Sequence, residues 1–572
     1  MKRLLLISWL FLFSAFWGVA EVKADVRMPL IFGDHMVLQQ DSKIAIWGWA
    51  DAGEIVEVTF VGQKVKTAAK ADGTWKVHLK PIKTKRKGQI LTIAGKNRLV
   101  YSDVLVGDVW VASGQSNMEW GMKVRKEYAD DIVRSEDASL RLFFVPKHTS
   151  LQRLSDIEVP QGTASPELAA RWVLCTPETL AKINGQGFSA TAYYFARDVR
   201  AANDRPLGVI QSAWGGTRAE VWTSLSGLKQ EPALAHYVAA YEKNVKDNPE
   251  ILATYPPRQQ EFDEAVREWD KTVGKEWNQA QKEWAVAVQA AQAVGKPAPP
   301  KPQPRTPRPP NPRKPDGGNN GPSNLFNAMI SPLIPLSIKG VIWYQGEFNS
   351  GGSAKEYATL FARMITDWRE KWGIGNFPFL YVQLPNYEPV DQEPSVEGNG
   401  WRWVREGQLK ALNLPNTAMA VTIDVGDPFD LHPVDKYDVG HRLALAARRL
   451  AYGEAIVGEG PLYKKMSVEG NKIILEFANQ GKKLIMGASP YIPVGEQPHP
   501  KPTKLTGFGI AGADRKFVWA DAVIEGDKII VSSSEVAAPV AVRYGFSNSP
   551  RCNLYNEEGL PASPFRTDNW DK

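Results

Sequence analysis

Five nearly continuous apolar runs, VLVGDVWVASG, PLGVIQSAWGG, IKGVIWYQGE, FPFLYVQLP and TAMAVTIDVGD, each pass into a loop of glycine, proline or polar residues. A run without alternation reads as a strand buried on both faces, and such strands belong to parallel sheets covered by helices. Between the runs lie amphipathic stretches such as SATAYYFARDVRAAN, EYATLFARMITDWREKW and VGHRLALAARRLAYG. Buried strands alternating with amphipathic helices predict an α/β domain around a parallel sheet.

The texture on either side is different. Residues 25–100 alternate short β-type runs (KIAIWGWA, EIVEVTFVG, TWKVHLK, ILTIAG) with turn clusters, which predicts an antiparallel module. Similar texture returns at 456–572 in KIILEFAN, FVWADAVIEGDKIIVSS and PVAVRYGF. The α/β domain is expected in two parts, 101–225 and 323–455, separated by an insertion at 226–322. In that insertion Phe262, Val266, Trp269, Val273, Trp277, Trp284 and Val288 recur at spacings of three, four or seven, one stripe of a long helix. A proline-rich basic stretch, GKPAPPKPQPRTPRPPNPRKPDGGNNG, follows and reads as an extended or disordered loop. At 572 residues and 43% hydrophobic, the chain can build two or three cores.

A formal net charge of +6, with 69 basic residues interleaved among 63 acidic ones, argues against nucleic acid as a partner. The 20 tryptophans suit either core packing or stacking on sugar rings. The opening MKRLLLISWLFLFSAFWGVAEVKA has two basic residues before an apolar run, the pattern of an export signal over residues 1–24. An uncleaved anchor is the alternative. With cleavage, a secreted or periplasmic protein without stable membrane insertion is expected. Only Cys175 and Cys552 occur, so this is no disulfide scaffold; export would allow them to pair, and two buried thiols are the alternative.

The strand VLVGDVWVA runs into SGQSNMEW, placing Ser116 at the carboxyl edge of the sheet, where α/β proteins bind ligands. Its own amide, near a helix start, can donate to an oxyanion. A serine nucleophile needs a base, and His432 lies in the loop DVGDPFDLHPVDK before a helix, while the other histidines sit in peripheral or helical contexts. Asp430 is the nearest carboxylate to orient it; Asp427, Asp424 and Glu347 are rivals. Gly215 and Gly216 follow one buried strand, and Gln345, Glu347 and Asn349 follow another. Glycine amides and an amide side chain are suitable oxyanion donors. Asn117, Glu347 and Asn349 are assigned supporting or substrate-binding roles.

In order along the chain, GQSNM, WGGT, WYQGE and DLHP resemble the blocks of the SGNH hydrolases, in the branch of sialate O-acetylesterases and related carbohydrate acetylesterases. MPLIFGDHMVLQQ, LCTPETL, FSATAYYFARD and NLYNEEGLPASPFRTD extend the likeness over most of the chain. The resemblance implies a flavodoxin-like three-layer α/β/α domain with β-sandwich additions. It also implies hydrolysis of acetyl esters on a carbohydrate partner, with no metal or organic cofactor. Residue by residue it makes Ser116 the nucleophile and His432 the base, and it places Gly215 or Gly216 with Gln345 at the oxyanion hole. Many SGNH enzymes carry an Asp three residues before the histidine; here that position is Phe429, with Asp430 two before.

Two other readings compete. A non-catalytic carbohydrate-binding protein could keep such a fold, but it has no use for a base and an oxyanion hole together. A lipase-like hydrolase is disfavoured because no GxSxG elbow of the common type occurs. An esterase acting on hemicellulose acetyl groups instead of sialic acid fits the same motifs.

Overall fold

The computed structural model describes residues 25–570, apart from 294–298, 301, 389–390, 392, 395–399, 428–429 and 488–501. The expected export signal, Phe429 and His499 therefore lie outside the described residues. Among the described residues no helix is long and apolar enough to cross a membrane.

A largely parallel sheet forms the centre of a mixed α/β fold. Its spatial order is Thr417–Ala420, Phe379–Val382, Gly340–Tyr344, Arg98–Gly114, Leu207–Ala213, Asp137–Phe144 and Trp172–Cys175, with only the last pairing antiparallel. The five apolar runs supply five of these strands. Arg98–Gly114 is 17 residues long and changes character midway: its first half alternates exposed and half-buried residues, and its second half is buried throughout. The first half pairs antiparallel with Lys85–Ala94 in the amino-terminal module, and the second lies between two parallel neighbours. One strand thus runs straight through the boundary expected at residue 100.

Helices cover both faces. Trp110 pairs with Gly340, three positions before Trp343, so the two indoles point to opposite sides of the sheet. Trp110 meets Phe195 of helix Ala190–Ala202 edge-on at 5.1 Å, whereas Trp343 meets Trp368 of helix Tyr357–Trp372 at 5.8 Å. Helix Lys436–Leu450 packs beside Ala190–Ala202. Both carry a capping side chain, Ser189 and Asp435, which accepts from the third helical amide.

Further antiparallel sheets follow the α/β domain, one of four strands from Leu462–Glu469 to Lys528–Ser532 and another around Phe508–Ala511 and Ala541–Tyr544. Arg405, fully buried, ties them to the centre by donating to Leu384 O, Ser547 O and Asn548 O. In the insertion, helices Ala235–Trp269 and Lys275–Ala293 join through a π-turn. The proline-rich segment runs back along them, its carbonyls at Thr306 and Pro299 accepting from the indoles of Trp269 and Trp284. Cys175 and Cys552 are free, buried thiols, each pushed up to about 12 by burial.

Candidate active site

Register brings the polar loops together. At the carboxyl edge Gly114 pairs with Ala213 on one side and Tyr344 on the other, so the loops beginning at Gln115, Trp214 and Gln345 leave the sheet side by side. Gly114 has φ +139°, and a Cβ there would fall 2.1 Å from Tyr344 O; only glycine permits this approach. The chain then turns into the short helix Ser116–Glu119.

Ser116 Oγ lies 2.9 Å from His432 Nε2. The other ring nitrogen, Nδ1, is 3.5 Å from Asp430 Oδ1, which also accepts the His432 amide at 2.8 Å. Arg125 pairs with the second oxygen of Asp430. Burial works to raise the Asp430 carboxyl, but bonds from His432 and Arg125 outweigh it and hold the group well below the usual carboxylate range. The rival carboxylates are elsewhere: Asp424 forms a two-pronged pair with Arg442, and Asp427 accepts the amide of Asp430. Glu347 accepts from Asn117 Nδ2 at 2.6 Å, and burial raises its carboxyl. Trp120 stacks on the His432 ring, and Arg125 lies 5.0 Å from the same indole.

Two residues expected at the oxyanion hole have their N–H groups committed. The Gly215 amide donates to Glu119 Oε2 at 2.6 Å, and the other oxygen of Glu119 pairs with Lys147. Gln345 is fully buried; its amide nitrogen donates to Asn349 Oδ1 at 2.7 Å and Thr217 O at 3.1 Å, while Tyr357 donates to its oxygen. Asn349, also fully buried, holds the Ala219 amide and Glu220. Gln345 and Asn349 thus brace the WGGT loop from behind. Gly216 has φ +67° and open space where a side chain would stand.

The family model for carbohydrate esterase, sialic acid-specific acetylesterase, matches residues 320–449. The sialate O-acetylesterase of Mus musculus is 29% identical, with 94% of each chain covered, and that of Homo sapiens 28% identical over 96% of this chain and 94% of its own. A carbohydrate acetylesterase from Xanthomonas citri, of known crystal structure, is 35% identical over 95% of this chain and 100% of its own, with a TM-score of 0.72. The chain belongs to the carbohydrate acetylesterases. It is a carboxylic ester hydrolase.

Two loops of this esterase also open onto a cleft of about 570 Å³ lined by Arg218, His236, Tyr237, Ser353, Lys355 and Glu356. Arg218 stands two residues beyond Gly216, with its guanidinium 5.0 Å from the ring of half-exposed Phe348. Sequence reasoning missed Trp120, Arg125, Glu119, Lys147 and Lys436. Trp120 and Glu119 lie in the SGQSNMEW block and Lys436 four residues after His432, so spacing offered a signal; Arg125 and Lys147 carried none.

Proposed function

We propose that this family member is an exported serine esterase on an SGNH-type fold that removes O-acetyl groups from a carbohydrate through a Ser-His-Asp mechanism. The observation that carries the reading is the 2.9 Å approach of Ser116 Oγ to His432 Nε2. His432 takes the serine proton as Oγ attacks the acetyl carbonyl; Asp430 fixes the imidazole and stabilises the imidazolium. Collapse of the tetrahedral intermediate expels the sugar hydroxylate, which takes the proton from His432, and leaves acetyl-Ser116. Water, deprotonated by the same histidine, then releases acetate. The amides of Ser116 and Gly216 hold the developing oxyanion.

Sialate is the substrate the mammalian relatives carry in their names, and Arg218 and Lys355, which line one cleft together with Glu356, are cationic groups that suit a sugar with a carboxylate. The two basic residues and apolar run of segment 1–24 support the export reading. The test is acetate release from O-acetylated sialic acid, xylan, xyloglucan and pectin by the native enzyme and by Ser116→Ala. Loss of at least about a hundredfold in the variant is expected. Substantial residual turnover would overturn the nucleophile, and acetate from hemicellulose alone would overturn the sialate reading.

A further inference from the structure

The loop that presents the base is held in an unusual way. Four successive main-chain carbonyls, those of Leu431, His432, Pro433 and Val434, each accept from a side chain. Asn117 Nδ2 reaches Leu431 O at 3.1 Å, Arg125 Nη2 reaches His432 O at 3.0 Å, Lys436 Nζ reaches Pro433 O at 2.7 Å, and the Tyr128 hydroxyl takes Val434 O, which also accepts the Lys436 main-chain amide at 2.8 Å. Three of these donors belong to the segment that follows Ser116. Lys436 closes the set, since its ammonium also donates to Asn117 Oδ1 at 2.6 Å. Asn117 and Lys436 are essentially fully buried, and Tyr128 nearly so.

A loop outside regular structure has carbonyls with no ladder partner, and water or side chains must satisfy them. Here three of the four side chains come from the segment that follows Ser116, so satisfying the loop also fixes its place relative to Ser116. We infer that Asn117, Arg125, Tyr128 and Lys436 form a carbonyl clamp that registers the His432 loop on the Ser116 segment, with Lys436 as the positioning residue that joins its two sides. None of the four needs to touch the acetyl group. Their effect lies in the distance between Oγ and Nε2, where a misplacement of about 1 Å can cost on the order of a hundredfold in rate.

The inference rests on the Ser116–His432 reading, and the experiment separates the two. For the full-length enzyme, kcat and KM on p-nitrophenyl acetate are measured for Lys436→Met, Tyr128→Phe and Asn117→Ala beside Ser116→Ala, with melting followed by circular dichroism. Lys436→Met is expected to lower kcat by about tenfold to a hundredfold with KM within about twofold, and Tyr128→Phe by about two- to fivefold in the same pattern. A purely structural role would lower the melting temperature without this split. If Lys436→Met is folded and keeps kcat within twofold of the native value, the clamp is refuted. Should that variant fail to fold, Tyr128→Phe and Asn117→Ala decide, and an unchanged kcat in both refutes it equally. Full activity in Ser116→Ala would instead remove the serine mechanism itself.

Discussion

The indole of Trp120 lies flat against the imidazole of His432, with ring centroids 4.1 Å apart and planes inclined by 15°. This contact opposes rotation of the imidazole away from Ser116, and in the proposed mechanism an aromatic face attracts the imidazolium that forms when the serine proton is taken. Trp120→Phe should keep most of the turnover. Trp120→Ala should lower kcat by about tenfold, the worth of a contact of roughly 0.5–2 kcal/mol, with little effect on KM. Steady-state kinetics on one acetyl ester checks this, and equal kcat in both variants would contradict it.

Asp430→Asn should cripple turnover far more than Asp424→Asn, Asp427→Asn or Glu347→Gln. An amide at 430 cannot stabilise an imidazolium, and it weakens the pair with Arg125. Asp424 is engaged with Arg442, so its loss should appear as lowered stability rather than lowered kcat. The four variants are compared in kcat and in melting temperature. Should Glu347→Gln be the crippling change, the acid comes from the WYQGE loop.

Gly215→Ala should lose activity although φ at this position is not in the left-handed region. An added Cβ would lie 3.1 Å from both Glu119 Oε2 and Ser116 Cβ, so one of the two must give way. Glu119→Ala frees that space but leaves the Gly215 amide and Lys147 without their acceptor, a loss of at most about 1–3 kcal/mol for the half-buried amide. Denaturant unfolding should show the stability loss in Glu119→Ala. Kinetics should show the activity loss in Gly215→Ala, and a fully active Gly215→Ala would mean that the WGGT loop is not held tightly against Ser116.

Burial pushes the Lys436 ammonium down to about 7, with Glu347 and Asp430 pulling the other way. The unfolded chain keeps that proton to about pH 10.4, so between the two values the unfolded state binds more protons. Stability from this group therefore rises with pH across that window, by at most about 1.4 kcal/mol per unit. The difference in unfolding free energy between the native enzyme and Lys436→Met should move in favour of the native enzyme from pH 7 to 10. A flat or falling difference would show that Lys436 stays charged in the fold.

Much of this arrangement is legible in the chain because its chemistry is written in short contiguous blocks. Ser116 follows a buried strand and a glycine, and His432 and Asp430 share one loop. The parallel centre is legible for a related reason: five runs lack alternation, and period is a local property. What a chain segment cannot display is the direction a loop side chain takes after its strand. Gln345 leaves the sheet at the expected edge, yet its amide turns inward to Asn349 and Thr217 O. Arg125 and Lys147 escape notice for the same reason, since each acts on a segment remote in sequence. The stripe at Trp269 and Trp284 is plain, but that the proline-rich return meets it depends on indole N–H groups finding carbonyls that no periodicity announces.

The strand Arg98–Gly114 sets an order of assembly. Its antiparallel partner Lys85–Ala94 and the short strand Val37–Gln39 precede it in the chain, whereas its parallel neighbours Leu207–Ala213 and Gly340–Tyr344 come much later. During synthesis the amino-terminal sheet can close on the strand as far as Gly107 while residues 108–114, which lead to Ser116, still wait, apolar and unpaired, for strands not yet made. A chain begun near residue 101 would therefore lose the template on which its central strand is first held, and should aggregate before it could form a smaller esterase.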